Sequence, residues 1–135
     1  MHTSLARAKQ QYLEQQVASA SPERLVTMLY DRLLVDIDRA DAALERSERE
    51  SASHSLIHAQ DIIAELNGSL SGDWEGSADL RGLYTFLNGR LIVANVTRNR
   101  AVTLECRNII APLRDAWHQA AASLATVGAP VDAVV

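Results

Sequence analysis

Residues 80–96 read LRGLYTFLNGRLIVANV, and this stretch decides the fold. At about 100° per residue, Leu80, Leu83, Leu87, Leu91 and Ala94 form one stripe of a helix, while Phe86, Ile92, Val93 and Val96 fall outside it. A helix that is apolar nearly all the way round is either sunk in a large core or shared with a second apolar partner. A chain of 135 residues has no large core to offer. The stretch therefore predicts a helix that serves its own domain with one face and an apolar segment of another protein with the other.

The flanking sequence predicts three more helices. Ser21 followed by Pro22 is a sound start signal, because a serine hydroxyl accepts an orphan amide bond and proline tolerates the first helical position. The helix that follows runs from about Pro22 to Arg46, with Val26, Tyr30, Leu33, Ile37, Ala40 and Leu44 at the spacing that antiparallel bundle helices require. Met28 and Val35 fall on its opposite side. After the charged turn Ser47 to Ser51, a second helix spans about Ala52 to Leu70 with the stripe Leu56, Ala59, Ile63, Leu66 and Leu70. A connection this short makes the two helices antiparallel neighbours.

Gly68, Gly72 and Gly76 punctuate a longer loop carrying Trp74 before the apolar helix, which begins near Ser77 to Asp79 and ends about Thr97. Asn99 caps the last helix, about Arg100 to Thr126, with Val102, Cys106, Ile109, Leu113, Trp117, Ala120 and Leu124 inward. Pro112 inside it predicts a kink near Asn108 or a break into two helices. The expected architecture is an all-α, antiparallel four-helix bundle over residues 21–127. A mobile N-terminal arm or short docking helix, 1–20, precedes it, and a flexible tail, 128–135, follows.

Composition narrows the function. Hydrophobic residues make up 47%, with only three Tyr, two Trp and one Phe, a balance that favours a helical bundle over a sandwich or barrel. Thirteen basic against seventeen acidic residues leave a formal charge of −4, so nothing resembles a footprint for phosphate backbones, and nucleic acid is excluded as a partner. The single Cys106 forms no internal disulfide, and no apolar run is long enough for a signal peptide or a membrane span. The expected location is the cytoplasm, with no membrane partner.

The sequence carries no nucleophile motif, glycine-rich phosphate loop or cysteine cluster, so neither an enzyme nor a cofactor is expected. One constellation bears weighing: His54, His58, Asp61 and Glu65 share one side of the second helix. Two histidines four apart with a carboxylate can ligate zinc. The group lies away from the Leu56, Ile63 and Leu66 stripe, however, and reads as a solvated helix face with no metal. A histidine phosphotransfer bundle is the rival use of an exposed helical histidine, but the lysine and glycine that follow the histidine in that family are missing after both His54 and His58. Cys106 occupies an inward position and reads as a small buried hydrophobe. What remains is surplus apolar surface, for which a weak homodimer through the third helix is the alternative to a foreign segment.

At this point four segments, in order and in register, resemble the FliS family of flagellar secretion chaperones. They are Tyr12 and Val17 leading to Ala20-Ser21-Pro22-Glu23-Arg24-Leu25 and Met28-Leu29-Tyr30-Asp31; Ala59-Gln60 through Glu65-Leu66; Leu83-Tyr84 leading to Arg90-Leu91-Ile92 and Ala94-Asn95; and Leu113-Arg114 with Ala116-Trp117. The resemblance implies a bundle that holds the disordered, helix-prone C-terminal segment of flagellin, blocks its polymerisation and presents it to the cytosolic domain of the flagellar type III export gate. Carried onto this chain, it places the arm and export-gate contact on Tyr12 and Val17. Leu25, Leu29, Leu83, Leu91, Ala94 and Trp117 are assigned to the bundle core. Met28, Phe86, Ile92, Val93, Asn95 and Val96 are the expected client-binding residues, Asn95 because an amide at the stripe edge can pair with client backbone. The chain departs from the family at Arg98-Asn99-Arg100, where an acidic residue is usual, and in having Pro112 and Trp74.

Overall fold

The structure is a computed structural model that describes residues 7–8, 22–70 and 75–134, with side chains as far as Leu124. Four helices carry the fold: α1 (Pro22–Glu45), α2 (Arg49–Gly68), α3 (Ser77–Thr97) and α4 (Arg100–Val134). Each packs against its sequence neighbour and α4 closes the ring on α1, so α1 and α3 face each other across the core, as do α2 and α4. Three residues join α1 to α2 and two join α3 to α4, lengths that force antiparallel pairs. Side-chain bonds between Asp41 and Arg100, and between Arg90 and Glu105, give the same sense to the α1/α4 and α3/α4 pairs.

The core is built from Leu33, Ile37 and Ala40 of α1, Leu56, Ala59, Ile63 and Leu66 of α2, Leu87, Leu91 and Ala94 of α3, and Val102, Cys106 and Ile110 of α4. Tyr30 and Tyr84 meet toward one end of it, their hydroxyls 2.7 Å apart, which joins the two diagonal helices. Each hydroxyl satisfies the other in a place water does not reach, and burial pushes both phenols above their ordinary value. Trp117 stacks on Tyr30 at 6.5 Å and partly seals this end of the core.

Local signals set the helix ends. The Ala101 amide donates to Asn99 Oδ1 at 3.0 Å, which makes Asn99 the cap of α4. Helices α1 and α3 stop at residues in the left-handed region, Ser47 with φ 57° and Arg98 with φ 54°. After α1, the Glu48 amide reaches back to the Ala43 carbonyl at 2.8 Å, the bond that closes a Schellman turn.

Several expectations need correction. Helix α4 runs through Pro112 as one element, as its expected span required and without the alternative break, but it continues to Val134 rather than ending near 126, so residues 128–134 belong to the helix. Proline removes one backbone bond and crowds the preceding turn. Here Ile110 is buried just before it, and Arg107 and Arg114 are tied to α1 on either side, so packing holds the helix through the defect. Within α4, Ile110 is the buried residue and Ile109 only packs at the core's margin, while Ala120 and Leu124 are exposed rather than inward. Leu25 is half-buried and lies outside the core cluster, whereas Leu29, Leu83 and Trp117 pack against it and Leu91 and Ala94 are wholly enclosed. Apart from residues 7–8, the 1–20 arm falls outside the described residues, as do the Ser21 cap and Trp74.

Candidate functional site

Helix α3 has two faces. Tyr84, Leu87, Leu91 and Ala94 are buried, and Phe86, Ile92 and Val96 are left 48%, 44% and 75% exposed. Val93 is half-buried and packs against the core's edge, so it belongs to both faces. From Gly82 to Thr97 the helix carries a single charge, Arg90. That charge is spent sideways, its Nη2 donating to Glu105 of α4 at 2.9 Å. The outer surface of α3 is thus without a free charge for about four turns, with Phe86, Ile92 and Val96 as its large exposed apolar side chains. Scattered apolar surface is ordinary, but a continuous run on one helix marks an interaction site.

Small residues shape this face. A Cβ built on Gly82 or Gly89 would meet nothing within 4 Å, so the surface is open at both positions. On the α2 side Asn95 borders the face and is half-buried, its amide nitrogen donating to Ser53 Oγ at 3.3 Å. On the α4 side the Arg90 and Glu105 pair forms the border, with Arg90 Nε buried and without a partner.

The expected client-binding residues are not all brought together. Phe86, Ile92, Val93, Asn95 and Val96 share α3, whereas Met28 is on α1, the helix diagonal to it. Met28, 40% exposed, lines a separate groove of about 680 Å³ between α1 and α4 with Thr27, Asp31, His118 and Leu124. Tyr12 and Val17 lie outside the described residues.

The histidine constellation also divides. His54, Asp61 and Glu65 are exposed, but His58 is half-buried and its Nδ1 contacts Asp36 Oδ2 of α1, so it is not simply a solvated residue. Asp36 is only 1% exposed and takes a second bond from Arg32 Nε at 3.2 Å. This buried carboxylate was missed from the sequence, although its position three residues after Leu33 and one before Ile37 places it on the inward stripe. Among the described residues no three His, Cys, Asp or Glu side chains come together as a metal site. Cys106 is fully buried, and that burial pushes its thiol up to about 11, which makes it a packing residue rather than a nucleophile.

A second missed pattern lies on the α1/α4 edge. Asp31, Asp38 and Glu45 recur every seven residues, as do Arg114, Arg107 and Arg100 on the antiparallel partner. They pair as Arg114 with Asp31 at 2.6 Å, Arg107 with Asp38 at 2.9 Å and Arg100 with Glu45 at 3.7 Å; Arg100 also grips Asp41 through two bonds of 3.0 Å. His118 joins Asp31 at 2.7 Å. Burial alone would raise the Asp31 carboxyl, but the bonds from His118 and Arg114 outweigh it and hold it below the ordinary 3.8. Arg100 does the same for Asp41, chiefly by hydrogen bonding. No helix among the described residues is long and apolar enough to cross a membrane.

This chain is similar to known proteins over most of its length. The family model described as "Flagellar protein FliS" matches residues 5–124. The "Flagellar secretion chaperone FliS" of Bacillus subtilis (strain 168) is 36% identical over 109 residues, covering 81% of this chain and 82% of the relative. That of Escherichia coli (strain K12) is 30% identical over 122 residues, covering 88% and 90%. A solved structure titled "Crystal structure of flagellar chaperone from bacteria" superposes with a TM-score of 0.70 at 19% identity, over 87% of this chain and 98% of the other, a likeness of fold.

Proposed function

The chain belongs to the FliS family of flagellar secretion chaperones, and from that premise we propose that it binds the disordered C-terminal segment of flagellin on the outer face of α3. In this reading the chaperone acts in the cytoplasm. It covers the apolar stripe through which flagellin would otherwise polymerise and delivers the segment to the flagellar type III export gate, through the arm carrying Tyr12 and Val17. The step is binding and release, with no bond made or broken. The observation that carries the reading is the uncharged outer face of α3, on which Phe86, Ile92 and Val96 stay exposed.

Physical terms support the assignment. Covering each large apolar side chain contributes about 1.5–3 kcal/mol. A client that is disordered when free loses part of that in becoming ordered, which leaves a bond that can be handed on. Calorimetry of the full chain with a synthetic C-terminal peptide of its flagellin tests the proposal. Heat of binding and protection of the peptide from protease are expected; their joint absence contradicts it. Val96→Asp is the cleanest variant, since Val96 is 75% exposed and its loss leaves the core intact.

A further inference from the structure

A cleft of about 530 Å³ lies between the last turns of α1 and the first turns of α2, with Arg39 and Arg46 on one wall and Ser51, His54 and Ser55 on the other. Asp36 meets His58 across this antiparallel pair, so Arg39, three residues on from Asp36, falls level with Ser55, three residues back from His58. Ser55 is only 8% exposed, and its hydroxyl has no partner among the described residues, although a serine inside a helix can turn it to the carbonyl one turn back. Arg39 and His54 are exposed, and neither is in an ion pair among the described residues.

Two carboxylates share the lining. Glu48 is taken by Arg46 at 2.5 Å, which leaves Glu50 as the one without a partner among the described residues. Asp36, one turn from Arg39 on α1, is spent on Arg32 and His58. A guanidinium, an imidazole N–H and two hydroxyls thus face one cleft against a single free carboxylate, a set that suits a ligand accepting hydrogen bonds and carrying negative charge. Glu48 makes no side-chain bond to the first turn of α2, so the positive end of that helix adds to the same preference. We infer that this cleft binds an oxyanion, a phosphate or carboxylate group presented by another molecule, which pairs with Arg39 and accepts from Ser55. The cleft belongs to the α1/α2 edge, whereas α3 packs against α2 and α4, so the inference does not rest on the proposed function.

The test titrates the ¹⁵N-labelled full chain with inorganic phosphate, and separately with a short glutamate peptide, each against sodium chloride at matched ionic strength. Saturating amide shifts at Arg39, Ser51, His54 and Ser55 are expected, half-complete at roughly millimolar ligand. Saturation by phosphate alone identifies a phosphorylated ligand and by the peptide alone an acidic one, and either supports the site. Arg39→Gln is expected to weaken binding about tenfold and Ser55→Ala about threefold. Alanine is smaller than serine and a better helix former, so the second variant keeps its fold. Glu50→Gln removes the competing carboxylate and is expected to tighten binding about threefold. Shifts that stay linear, that chloride reproduces, or that survive Arg39→Gln undiminished show an adventitious ion only and overturn the inference.

Discussion

Helix α4 meets α1 along one edge and α3 along the other, and the two edges use different chemistry. The α1 edge is laced by Arg100, Arg107, Arg114 and His118 bonded to Asp41, Glu45, Asp38 and Asp31. The α3 edge is the most sparsely packed of the four, and among the described residues one ion pair, Arg90 with Glu105, crosses it. Beside the first edge the outer surface of the bundle is charged; beside the second it is apolar. A charged edge fixes the register of two helices and repels an apolar intruder, because anything lying over it would have to strip water from the charges. An apolar edge with little holding it offers the opposite. The bundle is thus fastened by charge on one side of α4 and held by a single ion pair among the described residues on the other.

The largest expected effect separates the two faces of α3. Leu91→Ala, at a fully buried position, is expected to lower unfolding stability by about 2–5 kcal/mol in urea denaturation. Ile92→Asp or Val96→Asp should change stability by less than about 1 kcal/mol while reducing flagellin-peptide binding at least tenfold by calorimetry. Val93→Asp is not equivalent, because Val93 also packs against the core, and it should cost both stability and binding. A Val96→Asp protein that unfolded would show that the outer face is structural and end the distinction.

Next in size is the ladder. Replacing Arg100, Arg107 and Arg114 together with alanine should lower the urea midpoint modestly, since exposed ion pairs are screened by water and each contributes little. Peptide binding should survive that change. The lost part should depend on pH in a defined direction. Asp31 and Asp41 have carboxyls held below the ordinary 3.8, so their contribution is complete above that value and falls as pH drops through the lower folded values. Urea midpoints measured from pH 7 down to 3 should decline more steeply below about pH 4 in the parent than in the triple variant. Parallel curves would show that the ladder contributes nothing.

Cys106 reports on the α3 edge from inside. With its thiol buried and raised to about 11, it should react with a thiol reagent at pH 8 only as fast as the protein opens. Arg90→Ala should speed that reaction if the single bridge restrains the edge, and leave it unchanged if it does not. The smallest effect concerns a helix end: Ser47→Gly should stabilise by about 1 kcal/mol or less, because it relieves a left-handed serine at φ 57°.

What the sequence made legible was local or periodic. The bounds of α1 and α3, the Asn99 cap and the exposure of Phe86, Ile92 and Val96 all follow from signals within one helix. What escaped it depended on partners far along the chain. Asp36 lies on the inward stripe of α1, yet only the packed α2, with His58 beside it, shows how a buried carboxylate is tolerated. The ladder was readable as two seven-residue series, but a charge series on one helix means little until the antiparallel partner is known. The run of α4 through Pro112 was expected, and tertiary anchoring at Arg107, Ile110 and Arg114 keeps it whole against intrinsic propensity; what the sequence missed is the end of the helix, at Val134 and not near 126.

The claim that α3 carries the client is tested most directly by mapping amide shift changes in the ¹⁵N-labelled chain as the flagellin peptide is added. Changes concentrated at Phe86, Gly89, Ile92, Val93 and Val96, with Arg107 and Arg114 silent, are the predicted result. Changes confined to the α1/α4 edge, with α3 undisturbed, would contradict it.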